Sequence, residues 1–192
     1  FCLANPSASQ YNDNGESGSF DQPFVLCNAQ QLKSIRAACA TDGDKAYILG
    51  ANIDLTNEYG SSQSICTSPD TFTGVFDGRG YTISSLTGDA LIRDASDGAV
   101  IKNLSVYTKD RSTSSTGHGN LIRSGVDITV HEVHGYGDFD GHVSSGGILG
   151  TSDDSIISHS SYTGNVFGPY QIGGIVANID HILNESQYYG YA

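Results

Sequence analysis

Glu132, His159 and Glu185 are a carboxylate, an imidazole and a carboxylate spaced at nearly equal intervals along the chain. Those groups ligate a divalent cation when a fold brings them within a few ångströms of one another. Asp138 and Asp140, in the loop Gly137-Asp138-Phe139-Asp140-Gly141-His142, and the pair Asp153-Asp154 offer a second chemistry. Two carboxylates held roughly 5–9.5 Å apart hydrolyse a glycosidic bond. Carboxylates that bind Ca²⁺ beside a Lys or Arg base would instead serve a polysaccharide lyase. Arg123 is the only basic residue between positions 112 and 192, so a lyase built there lacks its base. No Ser-His-Asp order, zinc-protease helix, phosphate-binding loop or haem motif is present, and no catalytic residue is assigned from the sequence.

Whether these groups ever meet depends on what carries them. Gly146-Gly147-Ile148-Leu149-Gly150 recurs downstream as Gly173-Gly174-Ile175-Val176-Ala177 and, by the same interval upstream, as Gly119-Asn120-Leu121-Ile122-Arg123. After each copy comes a second apolar stretch, Val126 to Val133, Ser155 to Tyr162 and Asp180 to Tyr189, closing on Gly137, Gly164 and Gly190. An interval within the range of ~20–50 residues marks units that bury their apolar faces only against their neighbours. The apolar runs are short, rich in Ile, Val and Leu, and bounded by Gly, Ser and Asp, which is strand and turn chemistry. Strands recurring once per unit in one direction pair in parallel with the unit above and the unit below. The sequence therefore predicts an all-β, right-handed parallel β-helix, with coils about 4.8 Å apart and six or so coils in a rod of ~25–30 Å. Stacking places Asn103, Glu132, His159 and Glu185 in one column, and Lys102, His131, Ser158 and Asn184 in the next. The first column is a possible divalent metal site, or more simply a polar ladder with no cofactor.

Upstream the repeat loosens. Ala90-Leu91-Ile92-Arg93 precedes Asn120-Leu121-Ile122-Arg123 by a slightly longer interval, and Val100 to Val106 fills the second-strand place. The order Pro23-Phe24-Val25-Leu26, Gln31 to Ile35, Ile53-Asp54-Leu55, Phe76-Asp77-Gly78-Arg79-Gly80-Tyr81-Thr82-Ile83, Ile101-Lys102-Asn103-Leu104 and then the Gly-Gly-Ile-Leu-Gly units resembles bacterial surface proteins of the GLUG-repeat type. That resemblance implies the β-helix of adhesins, filamentous-haemagglutinin-like exoproteins and the non-catalytic part of some secreted IgA-type proteases. It spans roughly residues 22 to 192. Arg123 and Val176-Ala177 stand where the pattern has its closing glycine.

Nine basic against 21 acidic residues give a net charge of −12, the wrong sign for a nucleic-acid surface and repelled by anionic membranes. No run reaches the ~18 apolar residues of a membrane span. Cys2, Cys27, Cys39 and Cys66 lack Cys-x-x-Cys spacing and fit disulfides of an extracellular protein. Three pairings are open; Cys27 with Cys39 and Cys2 with Cys66 is preferred because Cys27 and Cys39 flank one short helix. Residues 1–22 read as an extended arm, and 23–46 as a cap whose helix starts at Asn28 and buries Leu32, Ile35, Ala38 and Cys39. Coils fill 47–192. The last residues, Tyr188-Tyr189-Gly190-Tyr191-Ala192, carry no polar capping unit.

These features predict a secreted or surface-exposed structural and adhesive module. Its loops 57–71, 108–119 and 137–146, rich in Ser, Thr, Gly and Asp, would meet a protein or glycan partner. The alternatives are a filament subunit, self-associating through the C-terminal coil or the N-terminal arm, and a polysaccharide-degrading enzyme.

Overall fold

Inward residues along the longest strands do not alternate evenly. In Val100–Thr108 the buried residues are Ile101, Leu104 and Val106; in Thr129–Tyr136 they are Val130, Val133 and Gly135. In Ser155–Thr163 they are Ile157, Ser160 and Tyr162, with Ser155 at the strand's start. A strand with period two turns over only if its backbone bends. It does so here at Asn103, Glu132 and His159, whose φ values are 52°, 52° and 50°. Each strand thus serves two sides of the coil, and two outward residues stand together at the bend.

The computed structural model describes residues 2, 8–57, 64–66, 69–87, 90–109, 118–119, 121–140, 145–168, 170–179 and 182–189, through the backbone alone at 118–119, 139–140, 179 and 182–189. It is a parallel β-helix of about five turns with one short helix. The long strands stack in the order Val100–Thr108, Thr129–Tyr136, Ser155–Thr163, Ile182–Tyr189. A second ladder runs through Ile92–Ala95, Ile122–Val126, Leu149–Asp153 and Val176–Ile179. Short strands at His118–Gly119, Ser145–Gly146 and Ile172–Gly173 complete the coils. Leucine, isoleucine and valine from successive coils form columns such as Ile92, Ile122, Leu149 and Val176 inside one continuous core.

Two further corners turn the chain. Asp97, Asp127 and Asp154 occupy one, with φ of 52°, 52° and 47°; Gly137 and Gly164 occupy the other, at 113° and 144°. Crowding fixes the repeat glycines at Gly146, Gly147 and Gly173. A Cβ at Gly173 would lie 1.7 Å from the Val176 carbonyl oxygen, and one at Gly147 would meet the ring of Tyr162 at 2.4 Å. Gly119 pairs with Gly146, which pairs with Gly173; the Gly174 carbonyl packs under Gly147. Tyr162 is fully buried beneath Gly135, a large side chain filling the space a small one leaves, and its hydroxyl donates to the Gly137 carbonyl at 2.6 Å.

At the other end the helix Ala29–Asp42 begins at Asn28, whose side-chain oxygen accepts from Gln31 N at 2.9 Å. Its Leu32, Ile35 and Cys39 join the core, with Ala38 packed against it. Residues 8–22 pack in part against the cap. Tyr11 and Ala8 are buried, Tyr11 packs edge-on against Phe24 with centroids 4.8 Å apart, and its hydroxyl donates to Asp42. Burial, then the bond to Asp42 and its charge, push that hydroxyl up to about 12.

The disulfides are Cys2–Cys27 and Cys39–Cys66, with Cα separations of 5.4 and 5.3 Å, which corrects the expected pairing. Cys27 precedes a rigid helix and Cys39 sits in its last turns; at a rise of ~1.5 Å per residue the two are roughly 15 Å or more apart, well beyond a disulfide's reach of about 7 Å. Each cysteine instead bonds outward, one to the N-terminal segment and one to the first coils. Loops of this size are each worth about 3 kcal/mol.

Candidate functional site

The bend at Asn103, Glu132 and His159 opens a groove of about 780 Å³ on the outside of the rod. It is lined by Asp77, Arg79, Gly80, Asn103, Leu104, Ser105, Glu132, His134 and His159, side chains from four coils. Each is there for a local reason. In the earliest of these coils the bend is replaced by a turn, Gly78-Arg79-Gly80-Tyr81, in which Asp77 Oδ1 accepts from Arg79 N at 2.8 Å and Tyr81 N donates to the Gly78 carbonyl. Gly80 N donates to the Asn103 carbonyl at 2.8 Å, so this turn stands over the groove's N-terminal end. The same Asp77 oxygen accepts from Asn103 Nδ2 at 3.0 Å, and Asp77 Oδ2 lies 3.5 Å from Lys102 Nζ. That partly exposed ion pair is worth at most about 1 kcal/mol; it orients Asp77 more than it stabilises the fold.

On the next coils, His131 Nδ1 shares a 2.8 Å bond with Ser158 Oγ, and His134 Nδ1 shares another of 2.8 Å with Ser161 Oγ. His131 Nε2 is 3.7 Å from Glu132 Oε1, and the His131 and His159 rings meet edge to face at 5.1 Å. Beyond His134 along the same outward face, Tyr107 and Tyr136 stack with centroids 4.4 Å apart and planes 9° from parallel. Such a pair adds ~0.5–1.5 kcal/mol beyond its burial.

The expected column is found in part. Register pairs His131 with Lys102 and Ser158, and Val133 with Leu104, so Asn103, Glu132 and His159 do follow one another. Glu185 does not continue them. It pairs with Ser158, and Asn184 pairs with Ile157. The interval from Glu132 to His159, applied once more, lands on Ser186 rather than Glu185, and a bulge in Ser155–Thr163 between Ser158 and Ser161 shifts the register beyond that point. Ser160 Oγ, buried at this bulge, accepts from Val133 N at 3.2 Å. Among the described residues no group of three or more His, Cys, Asp or Glu is placed to hold a metal ion.

Among the described side chains, Asp138 stands apart from Asp153 and Asp154. Asp138 Oδ1 accepts from Asn165 N and Nδ2 at 3.0 and 2.8 Å, closing a corner between coils. Asp153 pairs with Val126 and Asp154 holds the aspartate corner, a different column from Asp138. The Asp140 side chain, His142 and most of the loops 57–71, 108–119 and 137–146 lie outside the described residues, as do residues 190–192. Arg123, the departure from the repeat glycine, ion-pairs with Asp94 of the preceding coil through Nη2. Sequence reading missed Asp77, Arg79, Ser105, His134 and the tyrosine stack. The equal steps from Ser105 to His134 and from Tyr107 to Tyr136 were the available signal.

Fold and surface together define a parallel β-helix module with a polar groove and, beyond it on the same outward face, a tyrosine stack. No known family's sequence profile matches the chain. In an alignment 152 residues long that covers 70% of the chain, it is 29% identical to halomucin of Haloquadratum walsbyi, and it spans only 2% of that protein. Its fold is shared with a crystal structure of a Bacteroides ovatus protein described as an immunoglobulin A1 protease. The TM-score is 0.58 at 17% identity, covering 90% of this chain and 69% of the other. The disulfides and the likeness to halomucin point to an extracellular protein. No helix among the described residues is long and apolar enough to cross a membrane.

Proposed function

We propose that the chain is an adhesive module of an extracellular surface protein of the GLUG-repeat kind, a stiff rod that presents one side of its coils to a partner. The observation that carries this is the outward face of the long strands. There Asn103, Glu132 and His159, then Ser105, His134 and Ser161, then Tyr107, Tyr136 and Thr163 stand in rows on three successive coils. A solenoid turns short sequence repeats into an extended, rigid display of this sort, which loses little entropy on binding. Likeness to halomucin, itself a far longer protein, supports a role as one segment of a larger surface molecule.

Retention on surfaces tests it. Disulfide-intact chain is passed over immobilised glycoproteins, over the same proteins stripped of glycan, and over albumin. Saturable retention on glycoprotein or on stripped protein is expected. Retention no greater than on albumin rejects the adhesive reading.

A further inference from the structure

We infer that the groove at the Asn103–Glu132–His159 bend is a binding site for a neutral oligosaccharide, which extends from it over the Tyr107–Tyr136 stack two residues further along the same outward face; this rests on the adhesive reading above. Backbone strain is the first argument. A left-handed φ is readily adopted by Asn and Asp, but it is costly for Glu. The aspartate corner obeys that preference three times over. The groove corner has Asn103 and His159, types that tolerate this φ, but places Glu132 between them at the same φ, facing the cavity. Strain of this kind, lining a cleft, marks groups kept for what they touch.

Chemistry is the second. Asp77 and Glu132 supply carboxylate acceptors, while Arg79, Asn103 and the imidazoles supply planar donors, a set suited to the paired hydroxyls of a sugar ring. His134 already uses Nδ1 on Ser161, which leaves Nε2 to meet a ligand. Charge then narrows the class. Two carboxylates, Asp77 and Glu132, face two cations, Arg79 and the Lys102 bound to Asp77, so the groove is locally balanced within a chain of net charge −12. An anionic sugar would be repelled by the whole molecule, and a cation would find no unmatched charge in the groove.

The tyrosines supply the apolar surface. Tyr107 is 43% exposed. On the preceding coil it falls opposite Ser84 and Ser85, where the register shifts between the pairs Ile83–Val106 and Leu86–Thr108, and Tyr136 is followed on the next coil by Thr163. Small side chains at both ends leave the outer ring faces open to the C–H face of a sugar. The groove's volume, about 780 Å³, lies within the ~300–1,000 Å³ range of small-molecule sites.

The experiment is a printed panel of neutral, sialylated and uronate-containing oligosaccharides, carried both as free polysaccharide fragments and as glycoprotein glycans, probed with the disulfide-intact chain. Selective retention on neutral sugars is expected, and the two formats tell which source presents them. Tyr107→Ala and Glu132→Asn should each weaken that retention at least tenfold, with Glu132→Asn raising the melting temperature. That opposite movement separates lost recognition from lost folding. A panel blank for neutral sugars, retention confined to anionic ones, or variants that bind like the parent chain would each overturn the site. If the panel is blank while the chain still holds to glycan-stripped protein, the groove assignment fails and the adhesive reading stands. If both are blank, both fail.

Discussion

Two corners of the same coil solve one geometric problem with different residues. At the first, Asp97, Asp127 and Asp154 take a left-handed φ; at the second, Asn103, Glu132 and His159 take the same φ within a few degrees. Aspartate repeats because its short side chain tolerates that conformation and can bond to nearby backbone. Asp127 N, for example, donates to the Asp153 carbonyl at 2.9 Å, so the corner is tied to the next coil by the main chain. At the second corner, side-chain identity changes on every coil while the backbone does not. Geometry alone therefore explains the first column, whereas in the second Glu132 departs from what geometry prefers, and all three residues line the groove. A repeated residue in a solenoid marks scaffold; a varied one at a constrained backbone position marks contact surface.

The glycine corner sets the scale for how far geometry can rule. Gly164 has φ 144°, and a Cβ there would sit 2.0 Å from the Gly137 carbonyl oxygen. Gly164→Ala is expected to cost about 3 kcal/mol or more, read as the shift in urea midpoint. A shift below half that would mean the corner relaxes and is no fixed reference.

At the aspartate corner, Asp127→Val should cost about 1–2 kcal/mol, since a β-branched residue resists this φ, while Asp127→Asn should stay within about 0.5 kcal/mol of the parent. Equal losses in the two variants would show that the carboxylate charge matters there, and the contrast between corners would collapse. Glu132→Asn is expected to stabilise by about 0.5–1 kcal/mol, because it puts a tolerant residue at φ 52°. A destabilised Glu132→Asn would make that glutamate part of the scaffold.

The smallest effect concerns the N-terminal lid, where no repeat operates. The Tyr11 hydroxyl is raised from 10.0 to about 12, so its neutral form is favoured by folding. The stability it contributes is complete below pH 10 and is lost as pH rises from about 10 to 12. Alkaline titration followed by near-ultraviolet circular dichroism should show the lid loosening in that window, and Tyr11→Phe should flatten the transition. An unchanged profile in Tyr11→Phe would move the effect to another group, such as Tyr47, whose hydroxyl is also raised, first by burial.

Much of this was legible in the residues. Units recurring at a fixed interval specify parallel stacking, because a strand met once per coil in one direction has only the coils above and below to pair with. Asn28 and the apolar face after it specify the helix start. The groove was half visible. Asn103, Glu132 and His159 fell in one column by counting, but Glu185 was placed one position out, since a single-residue slip moves a side chain to the neighbouring row. Tyr11 gave no sign of packing on Phe24, because nothing local ties a polar N-terminal segment to the strand Phe24–Leu26.

By itself, then, the sequence determined the architecture, the strand order and the repeat glycines, all of which follow from spacing and local backbone preference. Tertiary structure alone decided which cysteines join, where the register slips, and that Asp77, Arg79, Glu132, His134 and His159 share one groove. Those outcomes depend on helix rigidity, a bulge and the bend of three stacked strands, and each is a through-space distance that residue spacing along the chain does not encode.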